Sequence, residues 1–195
     1  GKTDKPAEFH KLIAREGARL THLIENVLDF ARIEDGRKEY HFEECDLTAL
    51  LRNCLHLMTP VAHEQGVTLE TDLPELTARV DPAAIEQAVI NFLDNAIKFS
   101  PRGGTVRVVL RESGDRWELA IRDDGPGIPA AEHARIFERF HRLGDELRRE
   151  SQGTGIGLSI VKHVAEAHAG TVRVDSTPPD GATFTLTLPL DPCAS

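Results

Sequence analysis

Aromatic side chains are scarce in this chain: one Trp, one Tyr and eight Phe make up 5% of its 195 residues. Stacking platforms for single-stranded nucleic acid need more of them. The net charge of −9 argues further against a DNA or RNA partner. With 23 basic residues against 32 acidic ones, an anionic ligand has to find local cations or backbone N–H groups. Cysteines are few. Cys45, Cys54 and Cys193 are odd in number and form no Cys-x-x-Cys pair, which fits neither a zinc site nor a disulfide scaffold but suits a reducing, cytoplasmic compartment. No apolar run approaches the ~20 residues of a membrane span, so no membrane contact is expected of this chain, and no signal peptide opens it. The abrupt start GKTDKPAEF reads as a cut within a longer protein, itself cytoplasmic or the cytoplasmic part of a membrane-anchored one. What is present, 40% hydrophobic and 28% charged residues, is the make-up of one soluble globular domain plus an appendage.

Periodicity gives the organisation. Residues 6–34 read as one helix about 43 Å long at ~1.5 Å per residue, with Ile13, Leu20, Ile24, Val27 and Ala31 on a bundle seam that Gly17 and His10 weaken. Such a helix either folds back on the domain or forms half of a helical hairpin. DGRKEY breaks it, dividing residues 1–36 from a domain at 37–195. There EYHFEEC alternates as a strand, and a helix runs from an Asp46 cap to Gly66. VTLETDL and TARVD are strands, and DPAAIEQAVINFLDNAIKFS is a helix capped by Asp81 with Pro82 in its first turn. GTVRVVLRES and DRWELAIRDD form a hairpin across 113–115. Residues 124–152 form a long polar loop with one short helical piece, and stretches of that length tend to be lids or disordered; a lid is favoured. A helix at 155–168 and the strands GTVRVDS and GATFTLTLPL complete the chain. Hairpins beside three helices predict an α+β two-layer sandwich, a mixed sheet covered on one face by helices.

The glycines of GTGIGLS, at 153–159, open a helix, and a helix start with bare backbone attracts anions. The stretch is no Rossmann turn, because a charged loop precedes it, and no P-loop, because Leu158 and Ser159 follow Gly157. Asn91, Asn95 and Lys98 share one face of helix 82–99, which is either merely solvated or a site: amide oxygens suit Mg²⁺ and a lysine suits phosphate. DDGPGIP either makes a simple turn or presents Asp123 to an exocyclic amine, with Gly125 and Gly127 letting a base approach the backbone. Between these turns Phe137 and Phe140 are placed to staple the lid to the body, and Arg139 and Arg142 to swing onto phosphates.

In this order the four motifs resemble those of the catalytic, ATP-binding region of bacterial sensor histidine kinases, within the larger ATP-binding superfamily that includes DNA gyrase. NFLDNAIKFS is similar to their asparagine box, DDGPGIP and GTGIGLSIV to their two glycine boxes, and IFERFHR to their phenylalanine box. GTVRVDS with GATFTLTLP resembles their closing hairpin, and residues 6–34 resemble the second helix of their dimerisation hairpin. The resemblance implies a Bergerat-type fold holding ATP and Mg²⁺. Asn95 would hold the metal, with Asn91 and Lys98 near the phosphates. Asp123 would read adenine, supported through a water by Thr183, and Gly125, Gly127 and Ile128 would border the base. Gly153, Thr154, Gly155, Gly157 and Leu158 would present the helix start to the phosphates, beneath a lid carrying Phe137, Arg139, Phe140 and Arg142.

Two further implications follow. Hydrolytic relatives carry a glutamate where Asn91 stands, and an amide has no useful basicity toward water. The phosphoryl group is thereby kept for a protein nucleophile. The family's acceptor histidine precedes Glu/Asp-Leu-Arg, yet none of the nine histidines here has that context, His10 and His63 included. The expected partners are therefore a phosphoacceptor hairpin missing from this chain, a second copy in the full-length protein and a cognate response regulator. An anti-sigma-factor type serine kinase and a non-catalytic nucleotide-binding or dimerisation module are the alternatives.

Overall fold

A computed structural model describes residues 17, 24, 26–29, 31–141 and 155–192. The chain forms two compact units, Gly1–Lys38 and Glu39–Ser195. In the first, residues 26–29 and 31–34 are helical, and the chain leaves the helix at Gly36, whose φ of 65° suits glycine. The seam residues Ile24, Val27 and Ala31 are exposed, as is Leu28. Ile13, Leu20 and His10 lie outside the described residues.

In the second unit, strand β1 (Glu43–Asp46) leads into α1 (Leu47–Gln65). Asp46 caps that helix by accepting from Ala49 N–H at 2.9 Å, and Gly66 ends it at φ 71°. Next come β2 (Thr68–Asp72), β3 (Thr77–Val80) and α2 (Pro82–Phe99). The hairpin β4 (Thr105–Ser113) and β5 (Arg116–Asp123) follows. After two 3-10 turns, Ala130–Glu132 and Arg135–Phe137, the chain resumes in α3 (Gly157–Ala167), β6 (Thr171–Ser176) and β7 (Ala182–Pro189). Five strands form one mixed sheet in the order β2-β4-β5-β7-β6, with β2 and β4 parallel and the other pairs antiparallel. β1 and β3 pair separately as a small antiparallel sheet.

Alternation along the strands sends one row of side chains toward the helices. Val106, Val108 and Leu110 of β4, Trp117, Leu119 and Ile121 of β5, and Leu186 and Leu188 of β7 are fully buried there. Against them α2 buries Ile85, Val89, Phe92, Leu93 and Ile97, at roughly 1.5–3 kcal/mol per large side chain removed from water. The result is the two-layer sandwich expected, with three α-helices on one face of a mixed sheet.

One expected element is shorter than its pattern. EYHFEEC is expected as a strand, yet only Glu43–Asp46 enters a ladder. Tyr40 and Phe42 instead turn their rings onto His168, at 5.7 and 4.8 Å between centroids. His168 is fully buried just after α3, and its Nε2 accepts the N–H of Asp81, the α2 cap, at 3.1 Å. The Asp81 carboxylate accepts from Ala84 N–H at 3.0 Å and from His41 N–H at 2.8 Å. The start of α2 is thus tied to the end of α3. Antiparallel packing then brings the middle of α2 to the start of α3, where the motif residues lie.

Candidate functional site

Asn91 is buried in the middle of α2, at 4% exposure. A Cβ built on Gly157 would fall 2.9 Å from its Oδ1, so the first residue of α3 sits against this amide because it is glycine. One and two turns further along α2, Asn95 and Lys98 are half-buried. Lys98 Nζ lies 5.1 Å from the centre of the Phe99 ring, which is 47% exposed. Among the described residues no group of His, Cys, Asp and Glu is arranged to hold a metal. The oxygen donors of this helix face are amides, which suit a hard cation completing its shell with water and phosphate.

Asp123 ends β5 at 4% exposure. Its Oδ1 accepts from Gly125 N–H at 2.8 Å and from Ala182 N–H at 3.2 Å. Burial pushes the carboxyl above its ordinary value, while these two amides pull the other way. The turn after it needs its glycines. A Cβ on Gly125 would meet Asp123 Oδ1 at 2.6 Å and Phe99 O at 3.0 Å. Gly127, at φ 75°, leaves no room for one against Pro178. Ile128 is buried, and side chains hold both its backbone groups: Ser176 Oγ accepts its N–H at 2.8 Å, and His133 Nε2 lies 2.9 Å from its carbonyl oxygen.

The register corrects one assignment. Thr183 pairs with Arg122, whereas Asp123 pairs with Ala182. By the alternation of strands, Thr183 points to the face of the sheet away from Asp123. The hydroxyl therefore does not support the carboxylate; the Ala182 amide does.

The described part of the expected lid, residues 124–141, is anchored more firmly than its polarity suggests. Ile136 and Phe137 are buried, and the Phe137 ring packs edge-on against Phe184 at 6.4 Å. Phe184 in turn lies 5.5 Å from Phe92 of α2. Phe140 is no second staple: its side chain is 62% exposed. Its backbone does the fastening, since its N–H donates to Gly155 O at 2.9 Å. Both residues have positive φ, 59° and 70°, and a Cβ on Gly155 would meet Phe140 Cα at 3.0 Å. Beside this clasp Glu132 holds His141 at 2.6 Å and Arg135 at 3.1 Å. Arg139 is exposed and Leu158 half-buried. Arg142, Gly153 and Thr154 lie outside the described residues, as does the segment 142–152 of the expected lid.

Asn91, Gly157 and the Phe140–Gly155 clasp thus lie together around the start of α3, and Asp123, Gly125 and Ile128 around the end of β5, while Asn95 and Lys98 follow Asn91 along α2. Sequence reasoning missed Ala182, Ser176, His133 and the Glu132–His141 pair. Their hydrogen bonds join strand ends and turns separated in sequence, which leaves no periodic trace.

Residues 80–192 match the family described as histidine kinase-, DNA gyrase B-, and HSP90-like ATPase. Over 183 residues the chain is 38% identical to the sensor histidine kinase TmoS of Ectopseudomonas mendocina, covering 93% of this chain and 19% of that protein. It is 35% identical over 192 residues to the circadian input-output histidine kinase CikA of Synechococcus elongatus, covering 96% of this chain and 25% of that one. The chain therefore spans a quarter or less of these two relatives. Among solved structures, the mycobacterial sensor histidine kinase MprB superposes with a TM-score of 0.67 at 35% identity, over 76% of this chain and 97% of that one. Full-length ShkA in complex with AMPPNP superposes with a TM-score of 0.77 at 31% identity, over 96% of this chain and 39% of that one.

Proposed function

The chain belongs to the histidine kinase-, DNA gyrase B-, and HSP90-like ATPase family, and we propose that it is the ATP-binding catalytic region of a two-component sensor histidine kinase, donating the γ-phosphate of Mg-ATP to a histidine on a separate hairpin. The observation that carries this reading is the contact of Asn91 with Gly157. It sets the asparagine face of α2 against a helix start suited to phosphate, and the residue there is an amide. An amide orients a phosphate but takes no proton from water, which favours transfer to protein over hydrolysis.

In this assignment Asp123 accepts the exocyclic amine of adenine on Oδ2, the oxygen opposite the one its two amides occupy. An acceptor-only group prefers that amine to the carbonyl of guanine. Gly125 and Ile128 border the base. The N–H groups at the start of α3 and the Lys98 ammonium face the phosphate tail. Asn95 offers its amide oxygen to Mg²⁺, which when bound neutralises phosphate charge. Ile136 and Phe137 hold the root of the lid against the body, and Arg139 stands at that root, near the phosphates. The residues of this chain thus bind, orient and shield; the nucleophile comes from elsewhere.

We propose further that the helical residues 26–29 and 31–34 belong to a dimerisation hairpin, and that the acquired phosphoryl group passes to a response regulator. No helix among the described residues is long and apolar enough to cross a membrane.

The test is to mix this chain with a separately made hairpin carrying the His-Glu/Asp-Leu-Arg motif and γ-labelled ATP. The expected product is acid-labile, base-stable label on the hairpin histidine. Label on a hydroxyl residue, stable to acid, would assign a serine kinase instead, and ATP binding without any transfer would leave a nucleotide-binding module.

A further inference from the structure

Ser176, the last residue of β6, is half-buried and belongs to none of the four motifs. Its Oγ accepts from Ile128 N–H at 2.8 Å and donates to Gly181 O at 2.5 Å. Gly181 O belongs to the same peptide unit as the Ala182 N–H, and that N–H donates to Asp123 Oδ1 at 3.2 Å. The four groups form one chain of hydrogen bonds: Ile128 N–H to Ser176, Ser176 to the Gly181–Ala182 peptide, and that peptide to Asp123. Donation to a carbonyl polarises the amide and strengthens its own N–H as a donor.

The same hydroxyl joins the two segments that hold the carboxylate. Asp123 Oδ1 takes one bond from Gly125, in the turn containing Ile128, and one from Ala182, beside Gly181. The spacing is tight, because a Cβ on Gly181 would fall 2.0 Å from Asp123 O. Gly181 has φ 78°, so its peptide plane is set by a turn that few side chains allow.

We propose that Ser176 is a positioning residue for base recognition: acting through the Gly181–Ala182 peptide, it orients the Asp123 carboxylate so that Oδ2 faces the exocyclic amine of adenine. The inference rests on the assignment of Asp123 as the adenine reader and adds to it a residue that never touches the nucleotide. A serine that only closed a loop would act on all nucleotides alike. One that aims a carboxylate acts on the adenine amine in particular.

The experiment measures Mg-ATP and Mg-GTP affinities by calorimetry for the full chain and for its Ser176→Ala and Ser176→Thr variants, with melting midpoints recorded without nucleotide. Ser176→Ala should reduce the preference for ATP over GTP by roughly three- to tenfold, the worth of one buried hydrogen bond. Ser176→Thr, which keeps the hydroxyl, should retain the preference. Should the alanine variant fail to fold, Ser176→Cys, close in size but a weak donor and acceptor, should show the same fall. Unchanged preference in Ser176→Ala, or a parallel loss for both nucleotides, would overturn the proposal. An unaltered chain with no preference for ATP would instead overturn the reading of Asp123, and this inference with it.

Discussion

Asn91 fills the space that a side chain on Gly157 would need: a Cβ on the glycine would lie 2.9 Å from the asparagine Oδ1 and 3.3 Å from its Cγ. Asn91 is held in the α2 core, so it cannot move aside without disturbing its neighbours. Gly157→Ala should therefore shift the start of α3 away from α2. Alanine is the better helix former by up to ~1 kcal/mol, against an overpacking cost of about 1–3 kcal/mol, so stability should fall only modestly. Mg-ATP affinity, read by calorimetry, should fall at least about tenfold, since a shift of an ångström removes aligned phosphate donors. Unchanged affinity would place the phosphates elsewhere.

Asp123 links function to a stability cost. Burial raises its carboxyl pKa above the ordinary 3.8. A carboxyl whose folded pKa is raised contributes stability below the unfolded value, and that contribution is lost as pH rises through the folded value. At neutral pH the buried charge is therefore a burden. Asp123→Asn keeps an oxygen for the Gly125 and Ala182 amides while removing that charge. Its melting midpoint at pH 7 should equal or exceed that of the parent, while ATP affinity and the preference over GTP both fall. A variant that melts much earlier would mean that the carboxylate is chiefly structural.

Asn95→Ala separates metal from nucleotide. An apolar methyl cannot replace an oxygen ligand, so ATP affinity in the presence of magnesium should drop toward the value measured with a chelator. If magnesium still strengthens binding equally in the variant, Asn95 is not the ligand.

His168 predicts a dependence of stability on pH. Its Nε2 accepts from Asp81 N–H while Nδ1 lies 2.8 Å from Val164 O, an arrangement that needs the neutral ring. Burial lowers its pKa below 6.5, outweighing the Val164 carbonyl and nearby Asp81. The unfolded chain then binds the proton first, so this contribution is intact above pH 6.5 and lost as pH falls toward the lowered folded value. In urea unfolding, the drop in stability between pH 7.5 and 5.5 should be smaller in His168→Leu than in the parent. The variant should also be less stable at pH 7.5 by about 1–3 kcal/mol, with Asp81 N–H left unpaired. Equal slopes would contradict the assignment.

The helices and strands were legible because each carries its own signal. Asp46 and Gly66 bracket α1, Asp81 and Pro82 open α2, and alternation from Val106 to Leu110 marks β4. Asn91 and Asn95 could be singled out as candidates because they share one face of a single helix, and Asp123 because it closes a strand at a glycine turn. Thr183 was misassigned because which face it takes depends on the β5–β7 register, and one residue of offset reverses it. Phe140 was misread for a related reason. The spacing of Phe137 and Phe140 suggested two equivalent staples, but the positive φ of Phe140 turns its ring outward while its backbone fastens Gly155. Ser176 acts through the peptide that leads into the neighbouring strand, a relation that no local pattern records.

Phosphoryl transfer needs a positioned nucleophile in line with the γ-phosphate, and water serves only when a base activates it. An amide at Asn91 supplies no base, and none of the nine histidines is followed by Glu/Asp-Leu-Arg. The chain alone should therefore bind Mg-ATP, release phosphate very slowly and remain unlabelled by γ-labelled ATP. Stoichiometric phosphohistidine at His10 would overturn that expectation. Asn91→Glu tests the cause. A carboxylate there would face the start of α3, where the peptide dipoles favour negative charge. With ATP binding retained, phosphate release should rise by roughly tenfold or more, within the range general bases supply. Transfer to an added hairpin should fall as water competes for the same phosphoryl group. If ATP still binds and release does not rise, the amide at position 91 is not what keeps water from reacting.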